Sequence, residues 1–85
     1  MNERKTNWIE YLPPDVSSRL ASCCNTKEDV PILVDARWRW IKENRPNEDF
    51  IKADAVVDVF DWLDSNSQYY LCDVSQEEYD DLIRE

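Results

Sequence analysis

Carboxylates are the residues with the clearest capacity for chemistry in this 85-residue chain, which contains 19 Asp and Glu residues. The segment DAVVDVFDWLD, residues 54–64, places four aspartates among seven apolar residues and includes no basic residue. On a helix with about 100° per residue, Asp54, Asp58 and Asp61 fall within roughly 60° of arc, and Asp64 lies beside them. Successive members are roughly 4.5–6 Å apart along the axis, so the four form a row of negative charge.

The aspartate row has two interpretations. It is either a solvated face that keeps the protein soluble or a recognition face that meets a basic surface. Like charges one turn apart repel each other weakly, and only Lys52 is available nearby to offset them. The row points away from the apolar side of its helix. Replacement of Asp54, Asp58 and Asp61 by lysine is therefore expected to leave the fold intact.

The charge of the chain is divided unevenly. The net charge is −9, but residues 1–45 carry +1 and residues 46–85 carry −10. Such asymmetry concerns partners rather than the fold. The second half is expected to repel nucleic acid and anionic membranes and to attract a basic protein surface.

Enzymatic chemistry is not expected. The chain contains no His and no Gly. It therefore lacks the residues of a catalytic triad, a His proton shuttle, a phosphate-cradling loop and a dinucleotide-binding fingerprint. We predict that the protein is not an enzyme and has no catalytic and no cofactor-binding residues.

Metal binding and disulfides are also not expected. Residues 64–75 resemble an EF-hand loop at Asp64, but Tyr69 replaces the Gly of the sharp turn and Ser75 replaces the bidentate Glu. Three cysteines, two of them adjacent, fit neither a zinc site nor a disulfide framework. The first residues lack the apolar core of a signal peptide, and no apolar run reaches membrane-span length. We therefore expect a reducing, cytoplasmic setting and no metal.

Helix-period patterns predict a mainly α fold of about four short helices in one domain, residues 1–85, with residues 1–7 expected to fray. Pro14 suits the first turn of the first helix, and Asn47 can cap a third helix. Ser75 and Glu78 form a capping-box signature at the last helix. The predicted helical segments are residues 13–24, 31–44, 48–64 and 75–85.

The second helical segment is ambiguous. Residues 32–41 fit a broad helical face, but their alternation also fits a strand. An α+β alternative therefore has strands near 32–41 and 69–74. The helix is favoured because a chain without Gly is poorly suited to tight hairpins.

Tryptophan and arginine are the other candidates for recognition. Trp62 lies on the flank between the aspartate row and the apolar face, where it could anchor a partner. In RWRW, residues 37–40, we predict that Arg37 or Arg39 pairs with the protein's own carboxylates rather than with nucleic acid.

Residues 11–40 resemble an F-box, with one inserted residue before Asp29. The F-box pattern has Leu-Pro near its start, an acidic-apolar pair in its middle, and then spaced apolar residues and a Trp. The resemblance implies docking onto the adaptor of a cullin ubiquitin ligase. As a protein-interaction module of this or another structural kind, the chain would dock through Leu12, Leu33 and Trp40. The matching residues are Leu12, Pro13, Asp29, Val30, Leu33, Ala36 and Trp40.

In composition the chain is similar to the small acidic inhibitors that bacteriophages use against host defence. These include anti-CRISPR and anti-restriction proteins that mimic DNA, and immunity proteins against nuclease toxins follow the same logic. The resemblance implies an inhibitor, acting in the host cytoplasm if phage-encoded, that binds a basic, nucleic-acid-binding protein but neither nucleic acid nor membrane. The residues predicted to contact that partner are Asp54, Asp58, Asp61, Trp62, Asp64, Glu77, Glu78, Asp80 and Asp81.

Overall fold

Four α-helices and three short 3-10 turns form the part of the chain that the structure, a computed structural model, describes, residues 8–84. These residues contain no strand, so the predicted mainly α fold is confirmed and the α+β alternative is wrong. The predicted fraying of residues 1–7 lies outside the described residues. The α-helices are α1, Pro14–Ala21; α2, Val30–Asn44; α3, Lys52–Ser65; and α4, Gln76–Ile83; the 3-10 turns span Trp8–Tyr11, Lys27–Asp29 and Tyr69–Cys72.

The two long helices, α2 and α3, supply most of the core. Leu33 and Val34 of α2 and Val56, Val59 and Leu63 of α3 are fully buried. Their spacing is helical, which is why residues 32–41 form a helix although they also alternate as a strand would. The shorter elements close the core with Trp8, Leu12, Val16, Leu20, Leu71 and Leu82.

α3 begins four residues later than predicted, at Lys52 instead of Glu48. The Oδ2 atom of Asp54 accepts a hydrogen bond from the Ile51 amide at 2.9 Å, which satisfies one of the unpaired amides at the start of the helix. The prediction that Asn47 caps this helix is therefore wrong.

α4 begins as the sequence predicts. The Glu78 amide donates to Ser75 Oγ at 3.2 Å, and the Ser75 amide donates to Glu78 Oε1 at 3.1 Å. The hydrogen bond from the Ser75 amide lowers the pKa of the Glu78 carboxyl. This capping box fixes where the last helix starts.

α1 and α3 end in the same way, on a non-glycine residue in the left-handed region. Cys23 has a φ of 57° and Ser67 a φ of 63°. After α1, the amide of Cys24 donates to the carbonyl of Arg19 at 2.9 Å, and after α3 the amide of Gln68 donates to the carbonyl of Leu63 at 2.8 Å. These are Schellman endings, whose left-handed position favours Gly. A chain without Gly must place another residue there.

Ser67→Gly should therefore stabilise the protein. Glycine removes the left-handed penalty of roughly 1–2 kcal/mol but restores about 0.5–1 kcal/mol of unfolded-chain entropy, so the net gain should be about 0.5–1 kcal/mol. Urea unfolding followed by circular dichroism measures this gain. Ser22→Gly is the control, because Ser22 has a φ of −98° and its hydroxyl donates to the Ser18 carbonyl at 3.1 Å. The explanation fails if both variants are destabilised equally.

A buried polar network joins α1 to the start of α2. Arg19 donates from Nε and Nη2 to the two carboxylate oxygens of Asp29 at 2.9 and 2.8 Å. Asn25 Nδ2 adds a bond of 2.9 Å to Asp29 Oδ2. Hydrogen bonding from Arg19, and then from Asn25 and the Thr26 backbone, lowers the pKa of Asp29 from 3.8 to about 2.

The Asp29 network should make stability depend on pH in acid. A carboxyl with a lowered folded-state pKa adds stability above its unfolded pKa, and this stability is lost as the pH falls toward the folded pKa. For Asp29 the window runs from about pH 4 to about pH 2. Thermal unfolding of wild type and Asp29→Asn across this range should show the two curves converging in acid. A constant gap between the two curves would rule out the Asp29 contribution.

Candidate functional site

Of the four aspartate side chains of α3, two bond to other groups within residues 8–84 and two do not. Asp54 caps the helix, and Asp58 Oδ2 accepts a hydrogen bond from Nε of Arg37 at 3.1 Å and lies 2.9 Å from its Nη2 atom in an ion pair. Asp61 and Asp64 are exposed and form no ion pair with any residue from 8 to 84. The continuous row predicted from the sequence is thus reduced to its C-terminal half.

The basic residues of α2 pair within the protein. Arg37 reaches Asp58, and Arg39 Nε donates to Glu43 Oε2 at 3.0 Å. The prediction that Arg37 or Arg39 pairs with the protein's own carboxylates is therefore confirmed. The expectation that only Lys52 offsets the row is wrong, because Arg37 does so and Lys52 pairs instead with an aspartate of α2.

The expectation that lysine at positions 54, 58 and 61 would leave the fold intact must also be corrected. Lysine at position 54 would remove the acceptor at the helix start, and lysine at position 58 would face Arg37. Both changes would remove a contact between residues of the fold. Only Asp61, of the three, can be reversed without the loss of a described contact.

A third exposed carboxylate, Asp73, follows the 3-10 turn that packs against α3. Cys72, in the 3-10 turn after α3, donates from Sγ to the Phe60 carbonyl at 3.4 Å, which holds the turn against the helix. Burial, and then the charges of Asp64 and Asp61, raise the pKa of this thiol. Asp73 follows Cys72 directly, is exposed and has no ion-pair partner among residues 8–84.

Exposed apolar side chains accompany these carboxylates. Val57 is 51% exposed and lies one helical turn before Asp61. Tyr69 is 67% exposed and begins the 3-10 turn that ends at Cys72. We call these five residues, Val57, Asp61, Asp64, Tyr69 and Asp73, the acidic surface. Of these, the sequence singled out only Asp61 and Asp64, because 69–74 was assigned as a possible strand.

The predicted acids of α4 form a second exposed group. Leu82 is buried and turns one side of α4 toward the core. Glu78 belongs to the capping box, Asp80 accepts a hydrogen bond from Gln76 at 3.0 Å, and Asp81 lies 3.7 Å from Arg84. Glu77 forms no ion pair within residues 8–84. The partners of the other three are local, and all four side chains remain exposed.

Trp62 occupies the flank that the sequence predicts, and it is half-buried. Its ring packs edge-on against Trp8, with centroids 5.6 Å apart and planes at 82°. It also lines a pocket of about 370 Å³ beside α1. Trp62 is therefore held in place before any partner binds.

Aromatic rings also contact cations of α2. Arg37 lies 4.5 Å from the ring centroid of Trp40, and Lys42 lies 5.5 Å from that of Trp38. The RWRW segment thus forms contacts within the protein. Of the residues that an F-box-like module would use for docking, Leu12 and Leu33 are buried. They do not form an exposed face with the half-buried Trp40.

Comparison with known protein families, curated proteins and solved structures finds no significant match to the chain. None of the helices within residues 8–84 combines the length and apolar composition that crossing a membrane requires. In the same range, no group of three or more His, Cys, Asp or Glu side chains is placed to hold a metal ion.

Proposed function

We propose that this protein is a non-enzymatic acidic inhibitor that binds a basic, nucleic-acid-binding protein. The observation that carries the proposal is the acidic surface, where Asp61, Asp64 and Asp73 are exposed and have no ion-pair partner within residues 8–84, and where Tyr69 is also exposed. Six of the basic residues between 19 and 84 are already paired with carboxylates: Arg19, Arg37, Arg39, Arg45, Lys52 and Arg84.

Unpaired carboxylates favour a cationic partner over an internal role. Like charges that lie close together repel each other, and a partner's Lys or Arg side chains would relieve that repulsion. The net charge of −9 would also steer a basic protein toward this chain and raise the association rate. The exposed acids of α4 would extend this negative electrostatic field; they are Glu77, Glu78, Asp80 and Asp81.

The mode of inhibition that we propose is competition with nucleic acid. Carboxylates stand in for phosphates in the partner's basic cleft, as in the phage anti-restriction and anti-CRISPR proteins that mimic DNA. Val57 would add apolar contact and Tyr69 aromatic contact that phosphates cannot supply, and tyrosine is enriched at interface hot spots. The protein itself would bind neither DNA nor RNA, because affinity for nucleic acid depends on Lys and Arg contacts to phosphates.

Affinity capture tests this proposal. The immobilised full-length protein should retain a basic protein from a bacterial lysate at low salt and release it as salt is added, because salt screens charge contacts. The purified partner should then lose its binding to a labelled DNA duplex when this protein is added at equimolar amount. Retention that salt does not weaken, or a captured partner that still binds DNA fully, would contradict the proposal.

A further inference from the structure

A pocket of about 370 Å³ lies where the first 3-10 turn, α1 and the end of α3 meet. Ile9, Leu20 and Ala21 give it apolar walls, and Trp62 gives it an aromatic one. None of its lining residues carries a charge. A ligand can therefore enter without displacing an internal ion pair.

The C-terminal ends of two helices reach this pocket. Ala21 is the last residue of α1, and Asn66 follows the last residue of α3; both line it. Helix C-termini carry a partial negative charge. Together with the negative net charge of the chain, this arrangement favours a cationic ligand.

One residue of the pocket lining, Gln68, is buried and has an unpaired acceptor. Gln68 is 2% exposed, and its Oε1 atom accepts no hydrogen bond from any residue between 8 and 84. A buried amide oxygen without a donor is costly, so a ligand that brings an N–H group gains from pairing with it. The indole of Trp62 is the best natural partner for a cation over an aromatic ring.

We infer that this pocket binds the guanidinium group of an arginine side chain that the partner presents. Guanidinium is planar, carries five N–H donors, stacks on aromatic rings and is more weakly hydrated than an ammonium group. The aliphatic part of the arginine would lie along Ile9 and Leu20, as long charged side chains do on apolar surfaces. The source of the arginine rests on the proposed function, whereas the chemistry of the pocket does not.

Titration with a small arginine ligand tests the inference without a partner. N-acetyl-arginine methylamide, added to the ¹⁵N-labelled full-length protein, should give saturable shifts of the Trp62 indole N–H and the Gln68 amide. The neutral isostere, N-acetyl-citrulline methylamide, should bind about tenfold more weakly, because it lacks the charge. Equal responses to the two ligands, or shifts centred on other residues, would overturn the inference.

Two variants and one control locate the binding. Gln68→Leu removes the acceptor and should weaken arginine binding about tenfold. The loss of one hydrogen bond from a charged donor has an effect of this order. Ala21→Trp fills the pocket from an exposed position, so it should abolish the shifts even if Gln68→Leu does not fold. Ser18→Trp, an exposed position of α1 outside the pocket lining, should bind normally. Unchanged binding by Ala21→Trp would exclude this pocket. If the arginine ligand does not bind but lysate capture succeeds, the pocket inference is wrong and the proposed function is unaffected.

Discussion

Leu63→Ala should lower the free energy of unfolding by about 2–5 kcal/mol and the thermal midpoint by roughly 10 °C or more. Leu63 is fully buried in the last turn of α3, so the truncation leaves a cavity that the surrounding helices cannot fill. Since the whole domain is expected to be stable by only about 4–13 kcal/mol, this is a large share of the total. Thermal and urea unfolding followed by circular dichroism measure the loss.

Two valines of the same helix provide a matched control. Val59 is fully buried, whereas Val57 is 51% exposed, and each can be replaced by Ala. Val59→Ala should destabilise the protein clearly. Val57→Ala should stay within about 0.5 kcal/mol of wild type, because it changes little buried contact and Ala is the better helix former. Similar losses at both positions would contradict the packing of α3.

The second large effect is expected from charge reversal on the acidic surface. Asp61→Lys combined with Asp64→Lys should reduce affinity for the captured partner by about 100-fold at low salt, because like charges across an interface cost several kcal/mol. The difference from wild type should shrink as salt is added, since the Debye length is only about 10 Å at 0.1 M. Titrations at several salt concentrations measure both trends.

The double reversal is a clean test because the fold does not depend on either side chain. Asp61 and Asp64 are exposed and form no ion pair or side-chain hydrogen bond within residues 8–84. The thermal midpoint of the double variant should therefore match that of wild type. If the midpoint fell sharply, the loss of binding would reflect unfolding, and the two aspartates would have structural partners.

Local sequence signals were sufficient for most of the helices. The Ser75–Glu78 capping box and Pro14 at the start of α1 are short-range features, and the structure places helix starts there. The start of α3 was predicted wrongly because two capping patterns compete. Asn47 is a better cap residue by type, but the carboxylate of Asp54 accepts a hydrogen bond from the Ile51 amide, and the helix begins at Lys52.

The candidate surface was predictable only in part, because its composition depends on tertiary contacts. The row of aspartates follows from helical periodicity alone. The pairing of Asp58 with Arg37, 21 residues away, requires α2 to pack against α3 in a specific register. The addition of Asp73 and Tyr69 depends on a 3-10 turn that folds back onto α3, and periodicity carries no signal for such a turn.

The most direct test of the proposed function compares two charge-matched double variants for affinity to the captured partner at one ionic strength. Asp61→Lys/Asp64→Lys changes the acidic surface, whereas Glu28→Lys/Asp49→Lys makes the same change in net charge at exposed positions outside it. A specific acidic surface predicts that the first variant binds about 100-fold more weakly than wild type and the second within about tenfold of it. Equal losses in both variants would mean that net charge alone drives association. Unchanged binding by the first variant would show that Asp61 and Asp64 are only a solvated face.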